Sequence, residues 1–315
     1  MSSKALAALT LAALLIGTGG YVALTDSDGT DDRIVCVTMP WQGEIVDCVS
    51  MGTITVKTMV KPGADPHSAA PEPGVILSTS KAMAYFTIDT GVEWEAKNVP
   101  TIEENLPNLA VIPMARNIEL LEGGCHCGEG HEHAEGHGHA MDPHVWTSPK
   151  NLSAMASNVR DDLKSIDPGN SATYDAGYLE YENRMGELGA FCAEKLAGLS
   201  GHVLVWHGAW KYLFNDYTGT DGSPGITEEA LQHIPGIEKS LTPGDLLGPI
   251  LGEGYEFFYH PRSGVSESIL GALRENGVAT VVADPTAYDI SEEIRGFVAH
   301  LNENPPEHHS HGVTQ

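Results

Sequence analysis

The chain of 315 residues is 41% hydrophobic and 19% charged, enough length and apolar content for one large or two ordinary globular domains, which excludes wholesale disorder. Its 43 Asp and Glu against 17 Lys and Arg leave a formal net charge of -26. A surface of that sign repels phosphate backbones and anionic headgroups, so nucleic acid is excluded as a partner. The same balance suits metal cations, and equally a saline environment.

Residues 5 to 24 carry no charge and follow Lys4, the layout of a secretory signal or an N-terminal membrane anchor that leaves the rest of the chain outside the membrane. An acidic spacer runs to residue 32. No Cys follows the apolar run, so a lipid anchor has no attachment point there. Short apolar or β-branched runs at 33–38, 53–60, 84–88 and 109–112 then predict strands, and a second group follows at 202–206, 255–259 and 278–283. Most lack alternation, as strands buried on both faces of a parallel sheet do.

Between the two groups, Ser148 and Pro149 predict the start of a helix with Leu152, Met155, Val159 and Leu163 on one face, ending near Asp167. A second helix aligns Tyr174, Tyr178, Tyr181, Met185, Leu188, Cys192 and Leu196, a stripe that reads as packing. GAWKYLFNDY predicts a shorter helix, and Ile294, Phe297, Val298 and Leu301 line a last one. The pattern predicts an α/β fold of two lobes, each a mostly parallel sheet flanked by helices. Their bounds are 33–148 and 168–304, joined by a helix over 149–167 and followed by a tail, 305–315, that contains His308, His309 and His311. Cys36 and Cys48 could pair but read better as buried apolar residues. No phosphate loop or dinucleotide fingerprint is present in the sequence.

Segment 125–139, CHCGEGHEHAEGHGH, holds Cys125, His126, Cys127, His131, His133, His137 and His139 among glycines. It cannot form a core, and imidazole and thiolate on a flexible chain are ligands for zinc and its neighbours. Three other histidines stand in more ordered contexts: His67 in KPGADPHSAAPEP, His144 in MDPHVWTSP, and His207 after the buried run HVLVW. Asp284 ends the last apolar strand. Three imidazoles and a carboxylate suit a tetrahedral zinc shell, and strand carboxyl ends are where open α/β sheets gather ligands.

KPGADPHSAAPEP, MDPHVWTSPKN, VLVWHGAWKYL and VVADP, in that order and with a His-rich segment before the second, resemble the zinc and manganese substrate-binding proteins of ABC uptake transporters. The resemblance spans about residues 33 to 303. It implies two α/β lobes bridged by a long rigid helix, with the metal in the cleft between them. His67, His144, His207 and Asp284 become the ligands, 125–139 an accessory metal segment, and no residue is catalytic. Manganese-branch members resemble this chain except for a carboxylate at the third position, so His207 favours Zn2+ over Mn2+. Gly208 stands where the family usually has Asp. The implied partners are an ABC permease with its ATPase, the implied location extracytoplasmic, and the implied state monomeric. A secreted zinc hydrolase is the rival from another class, although H-E-x-x-H is absent from the sequence and a four-ligand shell leaves no place for water. A metal buffer built on 125–139 alone is the third reading.

Overall fold

The computed structural model describes residues 33–62, 69, 79–123, 141–220, 222–231, 247 and 250–306. The N-terminal apolar segment, His67, the 125–139 segment and the C-terminal histidines fall outside the described residues.

The first half opens with β1 (Ile34–Val37) and α1 (Pro40–Ser50), followed by β2 (Thr55–Thr58), β3 (Ala84–Thr87), α2 (Glu93–Asn105) and β4 (Ala110–Pro113). The strands pair in parallel in the order β2-β1-β3-β4, with Val35 opposite both Val56 and Ala84. Central β3 is buried throughout and β1 nearly so, whereas edge strand β2 alternates exposed and half-buried residues. That contrast is why the central strands read as unbroken apolar runs.

The second half repeats the plan with β5 (Gly201–Val205), α5 (Lys211–Tyr217), β6 (Ile226–Ala230), β7 (Phe257–His260), α6 (Glu267–Glu275), β8 (Ala279–Val282) and α7 (Ile290–Glu303). Its order is β6-β5-β7-β8, again parallel. In each sheet the first strand lies between its two successors, so the order switches direction beside β1 and beside β5. The carboxyl ends of those strands are the places where such sheets hold ligands.

Between the halves run α3 (Pro149–Ile166) and α4 (Ser171–Leu196). The stretch expected as the link, 149–167, folds as α3 against α1 and α4; α4 in turn packs on α1 and α3 from the first half and on α7 from the second. Its stripe of Tyr174, Tyr181, Met185, Leu188, Cys192 and Leu196 is buried in a core shared with both sheets, each large side chain contributing about 1.5–3 kcal/mol. At Gly177 a Cβ would stand 2.4 Å from the carbonyl oxygens of Cys48 and Val49, so the end of α1 rests on bare α4 backbone. A smaller core of Leu204, Trp206, Phe258, Ile269 and Leu273 fills the other face of the second sheet.

Two local features are not announced by the sequence. Ser148 holds the N-cap position of α3, but its hydroxyl makes no capping bond and donates instead to Asp216 on α5 at 2.6 Å. Strand β6, with sequence ITEEA, carries no apolar run to announce it. Cys36, Cys48 and Cys192 are free thiols, and burial pushes Cys192 up to about 12.

Candidate metal centre

His144 closes a turn that Asp142 organises. One Asp142 oxygen accepts from the His144 backbone amide at 2.8 Å and from its Nδ1 at 2.9 Å, and the two residues are 1% and 5% exposed. An acceptor on Nδ1 places the ring proton there and leaves the Nε2 lone pair for a ligand. Trp146, two residues on, meets the His144 ring edge-on and stacks on Trp41 at 5.0 Å, closing one wall with apolar surface.

His207 comes from the other sheet. The ladder of β5 extends one residue past Val205, where the Trp206 amide donates to the Tyr259 carbonyl at 2.8 Å, and His207 follows at the strand's carboxyl end. Its Nε2 stands 3.0 Å from Nε2 of His144, with the rings nearly perpendicular. Two nitrogens on a tetrahedral zinc ion, each about 2.05 Å from the metal, are about 3.3 Å apart. The pair is therefore close to the spacing a shared cation requires.

The turn after His207 is tied down from β6. Glu228 accepts the amides of Ala209 at 3.1 Å and Trp210 at 2.9 Å on a single carboxylate oxygen. Burial pushes its carboxyl up to about 7; the Trp210 amide opposes that rise and the nearby Asp142 carboxylate adds to it. Next along the chain, the Tyr212 hydroxyl accepts from the Leu121 amide at 2.9 Å and donates to the Asp142 carbonyl at 2.7 Å. Lys211 donates to the carbonyls of Glu122 and Gly123, and Glu122 bridges Met141 in antiparallel fashion. Both flanks of the His-rich segment are thus fastened together beside Asp142.

Asp284 follows β8 and is 2% exposed. Its Oδ1 accepts from the amide and hydroxyl of Thr286 at 2.9 and 2.7 Å, and its Oδ2 from the Arg262 amide at 3.3 Å, with the Arg262 guanidinium 3.7 Å away. The adjoining Pro285 carbonyl accepts the Trp146 indole N–H at 2.7 Å, which links the Asp284 loop to the turn of His144. Among the described residues no third His, Cys, Asp or Glu joins the histidine pair in a metal-holding group. His67 and the set Cys125, His126, Cys127, His131, His133, His137 and His139 lie outside those residues. His260 stacks on Phe258, and His300 meets the Tyr259 hydroxyl at 3.0 Å, both packing roles.

Three supporting residues escape the sequence reading: Asp142, Tyr212 and Glu228. Asp142 carries a local signal, a carboxylate two places before a histidine. The other two reach the site across long sequence separations, and nothing near them announces it.

Residues 35–239 match the family model for the zinc-uptake complex component A, periplasmic. The zinc-binding lipoprotein AdcA of Streptococcus pneumoniae is 25% identical over 270 residues, covering 84% of this chain and 52% of AdcA. The iron-binding protein YfeA of Yersinia pestis is 24% identical over 220 residues, 68% of this chain and 67% of YfeA. The chain spans about half the length of the AdcA proteins it matches. A crystal structure of ZnuA superposes with a TM-score of 0.71 at 22% identity, covering 87% of this chain and 99% of that one. FpvC of Pseudomonas aeruginosa in complex with Mn2+ superposes with a TM-score of 0.66 at 18% identity, covering 86% and 98%. These structures share the fold of two parallel four-stranded sheets. With its family match running from β1 past β6 and a histidine contributed by each sheet's half, the chain belongs to the periplasmic zinc-uptake component A family, whose members are metal-binding solute-binding proteins and not enzymes.

Proposed function

We propose that this protein captures Zn2+ outside the membrane and delivers it to an ABC permease driven by its ATPase. The observation that carries the reading is the pair His144 and His207, Nε2 to Nε2 at 3.0 Å, one from each half. Asp142 on the back of His144 holds its ring and keeps its proton on Nδ1, leaving Nε2 for the metal. His67 supplies the third nitrogen, and Asp284 or a water the fourth position. A nitrogen-rich shell of this kind suits zinc better than the harder Mn2+.

The His-rich segment is an accessory. Fastened at both flanks beside Asp142, it collects metal next to the pair that keeps it. The N-terminal apolar segment holds the monomer at the outer face of the membrane or directs its export. Because imidazoles ligate only when neutral, affinity falls as pH drops through the range where they take up protons.

Zinc isotherms of the metal-stripped chain, wild type beside His144→Ala and His207→Ala, test this reading. Loss of one tight equivalent in both variants supports it; a tight equivalent retained in both overturns it. A second reading, manganese as cargo, is favoured by one observation, the fold shared with a protein solved in complex with Mn2+. Measured preference for Mn2+ over Zn2+ in the same titration would select it.

A further inference from the structure

The two histidines of the pair are held by different means. Asp142 grips the ring of His144 directly, whereas the turn that carries His207 is fixed through its backbone. Three observations converge on one residue that holds that turn from the neighbouring strand, Glu228. A single oxygen of Glu228 accepts the amides of Ala209 and Trp210, the second and third residues after His207. Gly208 lies between them and the histidine, and a Cβ placed on it would stand 3.4 Å from the other Glu228 oxygen and 3.5 Å from the Ala230 side chain. The carboxylate thus lies in van der Waals contact with the place a Cβ at 208 would take, so a longer side chain there would meet it. Glu228 also sits on β6, hydrogen-bonded along its length to β5, the strand that His207 terminates, so strand and turn are locked to the same neighbour.

We infer that Glu228 is a positioning residue for the metal site: its carboxylate, reaching from β6 under Gly208, sets the turn that aims His207 at His144. The inference rests on the reading of that pair as the cargo site. It gives a half-buried glutamate on β6 a function, since an acid whose carboxylate is withdrawn from water is unfavourable without its two amide donors. The carboxylate that could stand on the turn itself is supplied from the adjacent strand.

The test uses the full chain, metal-stripped and titrated with Zn2+ against a competing chelator. Glu228→Ala should weaken the tightest equivalent by about 10–100-fold, the range for residues that orient a ligand, with an unchanged far-UV circular dichroism spectrum. Glu228→Gln should stay within about threefold of wild type, because one amide oxygen still accepts both N–H groups. Gly208→Asp alone should weaken binding by crowding Glu228, and the same change in the Glu228→Ala background should restore part of the loss. That sign reversal is one a general loss of stability does not produce. Wild-type affinity in Glu228→Ala, or strictly additive effects in the double variant, would overturn the inference. If Glu228→Ala does not fold, Gly208→Asp decides: unaltered zinc affinity there overturns it. His207→Ala, run alongside, separates this failure from the other, because zinc retained in that variant would mean the pair is not the cargo site.

Discussion

His144 and His207 meet nitrogen to nitrogen, yet the halves of the molecule hold them differently. His144 is fixed by a side chain within its own turn, a carboxylate two residues away that touches both its amide and its ring. His207 is fixed through the main chain, by a strand that arrives some twenty residues later. The first arrangement sets the tautomer as well as the orientation, so it tunes the ligand chemically. The second sets only where the ring is carried. Metal binding should therefore depend on charge and acceptor character behind His144, and on shape behind His207.

The largest effect is expected from removing either histidine of the proposed site. His144→Ala and His207→Ala should each weaken zinc by more than about 100-fold in a competition titration, beyond what loss of a supporting group does; two unequal losses, one of them slight, would break the comparison. Next comes Asp142. Asp142→Ala should cost about 10–100-fold, and Asp142→Asn clearly less, since its carbonyl still accepts both bonds. Equal losses in the two variants would show that the negative charge matters, and not the acceptor.

The pH dependence of folding separates stability from binding. Burial lifts Glu228 and Glu44 from 4.5 to about 7 each. A carboxyl whose folded value is raised keeps its proton longer in the folded state. Its contribution is then fully present below about 4.5, is lost as pH rises to about 7, and does not change above that. The urea midpoint of the metal-free protein should accordingly fall across this window, on the order of 1–3 kcal/mol per group. Glu44 lies on α1 against Arg184 and Ser291. Glu44→Gln should flatten the slope and leave zinc affinity alone. The smallest effect is that of Gly208→Ala, whose Cβ would meet Glu228 at 3.4 Å; zinc should weaken by less than about threefold, and a tenfold loss would mean the turn tolerates no adjustment at all.

Much of this was legible in the residues. Strands β1, β3, β5 and β7 read directly because burial on both faces makes them apolar, and α3, α4 and α7 because each shows one apolar stripe. Helix α1 did not. It buries Gln42 and Glu44, polar residues whose partners are distant, Gln42 on the Phe86 carbonyl and one Glu44 oxygen on Arg184, so its pattern is blurred. Strand β6 was hidden for the same reason, since Glu228 is stable there only through amides 18 and 19 residues back. Of the proposed site, the two histidines were visible because ligands gather at strand ends, whereas Asp284, after β8, joins no metal-holding group with them among the described residues. The supports behind the histidines were not visible, Asp142 included, although its partner is local and a carboxylate two places before a histidine could have pointed to it.

The account turns on the histidine pair as a zinc-selective cargo site. The most direct measurement is a competitive titration of the metal-stripped protein, lacking 125–139, with Zn2+ and Mn2+. One tight Zn2+ per chain, with Mn2+ far weaker and the tight equivalent gone in His144→Ala, is the predicted result. No tight Zn2+ without the His-rich segment, or Mn2+ held as firmly as Zn2+, would contradict it.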